Sequence, residues 1–333
     1  MGCRLLKDKQ GDKISLCFEA SACKGYGSEG ETRPISSPLT QISEFKGLRK
    51  LYYQWNGKEF GSLHVFEELE NLELKVSNPI TPCCSLTLPP SLRFLNLTMN
   101  GAQGNEQFQD VLSQIEGLKG LEKLTFKPDI NLSSTRDLLL ELSGHLPPNL
   151  REFSFEGFCY YDKVSEASIQ NFNRVSSLKV INFKTVSFPQ DEAMPSVRFR
   201  EIEDLTIEHC SLEFQNLPLL FSEEKLKTLK IFVDKRDLTE DAFLGNLDVL
   251  RKFQRLEILV YQDCKITKLT QGGQRVVDEI SETIKGIECL TSLKIATEGP
   301  DFYIPLDLEK LHLFEKVKSI ERFKSCVIDI RVS

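Results

Sequence analysis

One tryptophan, three methionines and four histidines stand in 333 residues, and most of the patterns that announce chemistry are missing. His64, His145, His209 and His312 are dispersed. No G-x-S-x-G or H-E-x-x-H arrangement occurs, so the residues give no nucleophile elbow and no zincin helix. The glycines between Lys24 and Gly30 are not followed by G-K-[ST], which sets aside a phosphate loop. The ten cysteines (Cys3, Cys17, Cys23, Cys83, Cys84, Cys159, Cys210, Cys264, Cys289, Cys326) never form C-x-x-C. They read as reduced, packed thiols, with no disulfide, metal or cofactor expected. No run approaches the ~18 apolar residues of a membrane span, and MGCRLLKDKQ lacks the apolar core of a signal peptide. The chain is therefore expected in the cytosol or nucleus. A net charge of -7 argues against a nucleic-acid partner, which would need a concentrated excess of Lys and Arg.

What the sequence does have is 40% hydrophobic content, enough for a large core without staples, and a period. The pattern L-x-x-L-x-L, with Ile, Phe or Tyr allowed at the apolar positions, begins at Leu48, Leu69, Leu92, Leu121, Leu150, Leu178, Ile202, Leu226, Leu256 and Leu290. Each run alternates over its last residues, as a short strand with one buried face does. A single run carries little weight. Recurrence in phase along most of the chain carries a great deal.

This pattern resembles the leucine-rich-repeat family, whose unit reads L-x-x-L-x-L-x-x-N/C. The ninth position adds to the likeness with Asn56, Asn100, Cys210 and Cys264, while Ser77, Asp129, Phe158, Val186, Asp234 and Glu298 depart from it. Some units look like the cysteine-containing and ribonuclease-inhibitor-like subclasses. A short side chain at that place can turn inward and hydrogen-bond the backbone leaving the strand. The resemblance covers about Ile42 to Ala296. It implies an α/β fold: a curved solenoid with a parallel inner sheet of about ten or more short strands, and helices mixed with extended segments outside.

Helical spacing is present at Phe108, Val111, Leu112, Ile115 and Leu118 and again from Phe243 to Phe253, where Thr239 with Glu240 and Asp241 predicts a helix start. Val276 to Ile287 gives a third stripe, and Leu138 to Leu142 after Ser134 a fourth. The stretches 77–90 and 188–199 are proline-bearing and without helical period, so extended segments are expected there. Ile14 to Phe18 predicts one more strand, with 21–41 a mobile loop behind it. Residues 1–41 are thus expected to cap the array, 42–299 to form it, and 300–333 to close it. Leu308 to Ile320 fits either a further repeat or a capping helix before a strand at CVIDIRV. Gly2 and Cys3 are possible acylation sites, although Leu6 stands where the motif wants Ser or Thr; a membrane is a partner only if they are lipidated.

In this fold the third, fifth and seventh positions of each unit would project from the inner sheet. Two places there are unusually apolar. Tyr52, Trp55 and Phe94 form one, and Phe232, Ile258 and Val260, rimmed by Lys230 and Gln262, form the other. Aromatic and branched anchors dominate interface energetics, so each group is expected either to bind a partner or to be covered by a loop of the same chain, for which 21–41 is the candidate at the first group. The leading reading is a protein-protein interaction scaffold or adaptor, with no enzymatic activity. The alternatives are the substrate-recognition subunit of a ubiquitin ligase, as in F-box proteins with such repeats, or a GTPase activator built on this fold.

Overall fold

The computed structural model of the chain describes residues 2–7, 14–19, 47–55, 63–76, 87–100, 105–129, 137–157, 162–189, 195–232, 237–239, 245–246, 248–268, 282, 285–299 and 325–332. The fold class is α/β. The chain divides into two compact units, the first comprising Met1–Phe158 with Val175–Ser177, the second Cys159–Arg174 with Leu178–Ser333.

In the first unit β1 (Gly2–Lys7) runs antiparallel to β2 (Ile14–Glu19), and β2 pairs in parallel with β3 (Lys50–Trp55). Parallel pairing then continues through β4 (Asn71–Val76), β5 (Phe94–Asn100), β6 (Lys123–Asp129) and β7 (Glu152–Glu156). In the second unit the parallel strands are β8 (Val180–Lys184), β9 (Asp204–Glu208) and β10 (Thr228–Phe232), then β12 (Ile258–Lys268), β13 (Ser292–Gly299) and β14 (Ser325–Val332). A short β11 (Asp237–Thr239) also pairs with β12.

All ten repeats found in the sequence carry a strand, and every one of those strands starts two residues after the repeat's first apolar residue. The backbone explains the constancy. In four successive repeats of the first unit the second residue offers its carbonyl to two N–H groups of the next repeat: Arg49 to Glu70 and Asn71, Glu70 to Arg93 and Phe94, Arg93 to Glu122 and Lys123, Glu122 to Arg151 and Glu152. In the second unit Lys179, Glu203, Lys227 and Glu257 do the same. One unit therefore sets the register of its neighbour, and a one-residue slip would turn the whole apolar set outward. Side chains reinforce the step: Ser91 Oγ donates to Leu69 O at 2.9 Å, and Ser177 Oγ to Leu150 O at 2.8 Å.

The fourth and sixth positions build the core. In the first unit Leu72, Leu74, Leu95, Leu97, Leu124, Phe126, Phe153 and Phe155 are buried, each contributing about 1.5–3 kcal/mol. The helix Asn105–Gly117 covers them with Phe108, Val111, Leu112 and Ile115, and Phe108 meets Phe126 edge-on at 6.0 Å. The helix Leu138–Ser143 is capped by Asp137, whose Oδ1 accepts from Leu140 N–H at 3.0 Å. Both helices were legible as apolar stripes; Ser134, placed ahead of the second, lies outside the described residues.

Several elements differ from expectation. Thr239 is the last residue of β11; 240–244 and 247 lie outside the described residues, and within the apolar stripe residues 245–246 and 248–249 are helical before the tight turn Leu250–Lys252. An extra helix, Glu166–Arg174, had no counterpart in the sequence reading. Its apolar stripe is only Ile169 and Phe172, too short to show a period. Its start is specified by a reciprocal cap in which Ser168 N–H donates to Ser165 Oγ and Ser165 N–H to Ser168 Oγ, at 3.2 and 2.9 Å. The short helices Phe214–Asn216 and Leu217–Leu220, and the strand β1, were likewise not foreseen. The third stripe is described only near its end, where residues 282, 285 and 286 are helical and Ile287 is buried. At the C-terminus the strand expected at CVIDIRV is β14, whereas 301–324, and so the choice at Leu308, lies outside the described residues. The loop 21–41 is outside them too. No described residue of 77–90 or 188–199 is helical. No helix among the described residues is long and apolar enough to cross a membrane.

Candidate binding surface

Where their side chains are described, residues at positions three, five and seven alternate with the core rows and stay half-buried or exposed, so among the described residues each unit's sheet has one uncovered side. In the first unit the register makes three rows: Lys50, Asn71, Phe94, Lys123 and Glu152; Tyr52, Glu73, Asn96, Thr125 and Ser154; and Gln54, Lys75, Thr98, Lys127. Across the first two rows lies an open depression of about 470 Å³ bounded by Lys50, Tyr52, Asn71, Glu73, Phe94 and Lys123. Its shape follows from side-chain size. Tyr52 and Phe94 stand two strands apart, while the short Asn71, Asn96 and Thr125 leave the space around them open.

Charge frames this hollow. Lys123 Nζ lies 2.7 Å from Glu152 and Lys127 Nζ 2.9 Å from Glu156, ion pairs directly opposite each other on neighbouring strands. Phe94 is steadied by Arg93, whose guanidinium sits 5.7 Å from the ring centroid and is itself held by Glu122 at 2.6 Å. A flat aromatic face backed by a fixed cation is an anchor with little rotamer freedom left to lose.

Of the residues singled out from sequence, Tyr52 and Phe94 come together on this hollow. The side chain of Trp55 lies outside those described. The residue pairs with Val76, which in turn pairs with Met99, and both are buried, so its place in the ladder is one residue out of phase with Tyr52. Lys50, Asn71 and Lys123 were missed, because third positions look like ordinary surface residues until the register lines them up.

In the second unit Lys230 pairs with Val260, Phe232 with Gln262 and Thr228 with Ile258. Phe232 and Ile258 are half-buried and Lys230 is exposed. Val260 is diagonal to Phe232 and two residues from Ile258, so the three positions form an oblique stripe across β10 and β12; the side chains of Val260 and Gln262 are outside those described. Glu208 accepts from Lys184 Nζ at 2.8 Å beside this stripe.

Cys210 stands at the ninth position of its unit and behaves as that position predicts. Its Sγ donates to the carbonyls of Glu208 and Phe183 at 3.3 and 3.5 Å and accepts from Val186 N–H at 3.4 Å. Burial pushes its thiol up to about 12, so it stays protonated at neutral pH and is inert. Cys210 and Cys289 are free thiols. Among the described residues no three or more His, Cys, Asp or Glu side chains cluster as metal ligands would. Compared with known proteins, the chain matches no family model and no curated protein.

Proposed function

We propose that the chain is an irregular leucine-rich-repeat protein and that it works as a binding scaffold, holding a protein partner on the uncovered side of the sheet β3–β6. The observation that carries this reading is the hollow between Tyr52 and Phe94, where two aromatic rings stand on a sheet face rimmed by charges of both signs. Aromatic anchors around a polar, charged rim are the anatomy of protein interfaces. A volume of about 470 Å³ open along one side suits a protruding side chain or loop of a protein. The repeating backbone step and the inward Cys210 support the family reading.

The test is site-specific photo-crosslinking from Asn71, at the floor of the hollow, with Leu219 as control. Leu219 is 56% exposed on the short helix Leu217–Leu220 of the second unit. A discrete protein adduct from Asn71 and none from Leu219, lost on Tyr52→Ala, is expected. Identical adducts from both sites would remove the hollow as a binding surface.

A further inference from the structure

We infer that the hollow takes an extended segment of the partner, its main chain gripped by the side-chain amides of Asn71 and Asn96; this rests on the reading of the hollow as a partner's site. Asn71 pairs with Phe94, and Asn96 stands two residues beyond Phe94 on the same strand, so the two asparagines are diagonal neighbours roughly 7–8 Å apart. An extended chain turns the N–H and C=O of every second residue to the same side, about 6.4–6.8 Å apart. The two spacings are close. A carboxamide carries a donor and an acceptor side by side, as a peptide group does, so each asparagine can hold one residue of such a chain by both its N–H and its C=O. Both asparagines are half-buried, and among the described residues neither side-chain amide is hydrogen-bonded. Tyr52 and Phe94 stand on opposite sides of the line from Asn71 to Asn96, so a segment on that line lies between the two rings.

Charge orients the segment. Lys50 is in register with Asn71 and Glu73 with Asn96, both on the Tyr52 side of the line. Both are exposed, and among the described residues neither has an ion pair, whereas Lys123, on the Phe94 side, is matched by Glu152 at 2.7 Å. In an extended chain the residues gripped at Asn71 and Asn96 send their side chains to one side, and the residue between them to the other. The fitting triplet has an acidic residue against Lys50, a basic one against Glu73, and between them an apolar residue over the Phe94 ring. A helix offers the asparagines no such row, because its N–H and C=O groups are spent within it.

Panning a phage-displayed library of linear peptides against the full chain, with a library of small helical domains beside it, tests the inference. Linear peptides with an acid and a base two residues apart should be enriched. A synthetic copy of one should lose at least about tenfold in affinity for Asn71→Ala and for Asn96→Ala, and as much for the wild type when either gripped residue is N-methylated. The methylated peptides read the grip without any variant having to fold. Lys50→Glu combined with Glu73→Lys should reverse the preferred order of acid and base. Helical domains whose binding is lost on Tyr52→Ala, with no linear peptide enriched, would overturn the inference and leave the hollow a binding site. No Tyr52-dependent binder from either library would overturn both. Affinity indifferent to N-methylation would overturn the inference alone, as would linear peptides that bind only after residues 21–41 are replaced by a Gly-Ser linker, since the occupant would then be the chain itself.

Discussion

The two units use the same repeat for different ends, and the contrast is clearest between the repeats of β5–β6 and those of β8–β9. Around β5 and β6 the repeats are long, Leu92 to Leu121 and Leu121 to Leu150 being 29 residues each, and the extra chain is spent on helices behind the sheet. The repeats starting at Leu178 and Ile202 are 24 residues each and cannot hold long helices. There the chain leaving the strand is tied down instead. Thr185 and His209, both one residue past a strand, take φ of 54° and 51°, a left-handed conformation costly for a β-branched threonine. It is held because Thr185 N–H reaches Glu208 O and His209 N–H reaches Phe232 O, both at 2.9 Å. A second set of bridges then joins Lys163, Ser187 and Ser211. Beneath them Phe172, Phe183, Phe188, Phe199 and Phe221 pack ring on ring, Phe199 lying flat on Phe221 at 4.8 Å. The two 24-residue repeats are thus ordered by turns and aromatic packing, while the 29-residue repeats around β5 and β6 are backed by helices.

If the aromatic stack is what holds the short repeats, its removal should produce the largest effect. Phe199 is fully buried, and Phe199→Ala is predicted to cost about 3–5 kcal/mol through lost transfer energy and the cavity left behind. Urea unfolding reads this directly, and a loss below about 1 kcal/mol would show that the stack is dispensable.

Cys210 should come next. Cys210→Ala leaves the Val186 N–H and two carbonyls without the thiol, which is predicted to destabilise by about 1–3 kcal/mol. Native alkylation at neutral pH, followed by mass spectrometry, sharpens the point. The exposed Cys289 should be modified while Cys210, with its thiol pushed up to about 12, stays unmodified until the protein unfolds.

The surface charges of the second unit should matter less. A hydrogen bond from Lys179 holds the carboxyl of Glu201 below its ordinary 4.5, and one from Lys227 does the same for Glu203. A carboxyl lowered in the folded state stabilises it above the unfolded value and loses that contribution as pH falls through the folded one. Stability should therefore drop on acidification below 4.5, and Glu203→Gln should flatten that drop while costing under about 1 kcal/mol at neutral pH. An unchanged acid limb in the variant would mean that other carboxyls set it.

The sequence made the strands legible because their signal is redundant: ten starts, each with a buried first residue and a strand two residues on, cannot all be displaced by local accident. The inward turn of Cys210 was legible for the same reason. Helix Glu166–Arg174 was not, since its specification lies in a serine pair and in contacts to residues far along the chain, such as Asn173 with Arg198 and Arg200. The hollow was half legible. Tyr52 and Phe94 stood out as aromatics at outward positions, but Lys50, Asn71 and Lys123 acquire meaning only from register.

The most direct test of the central claim separates binding from folding at Phe94, with the protein captured by crosslinking from Asn71 as ligand. Calorimetric titration of that partner into wild type and Phe94→Ala, beside the melting temperature of each, should show affinity reduced by about 2 kcal/mol or more. The melting temperature should fall by no more than about 2–4 °C, because a half-buried outward residue contributes little to the core. Unchanged affinity in a folded Phe94→Ala variant would contradict the claim that the uncovered side of β3–β6 is the working surface.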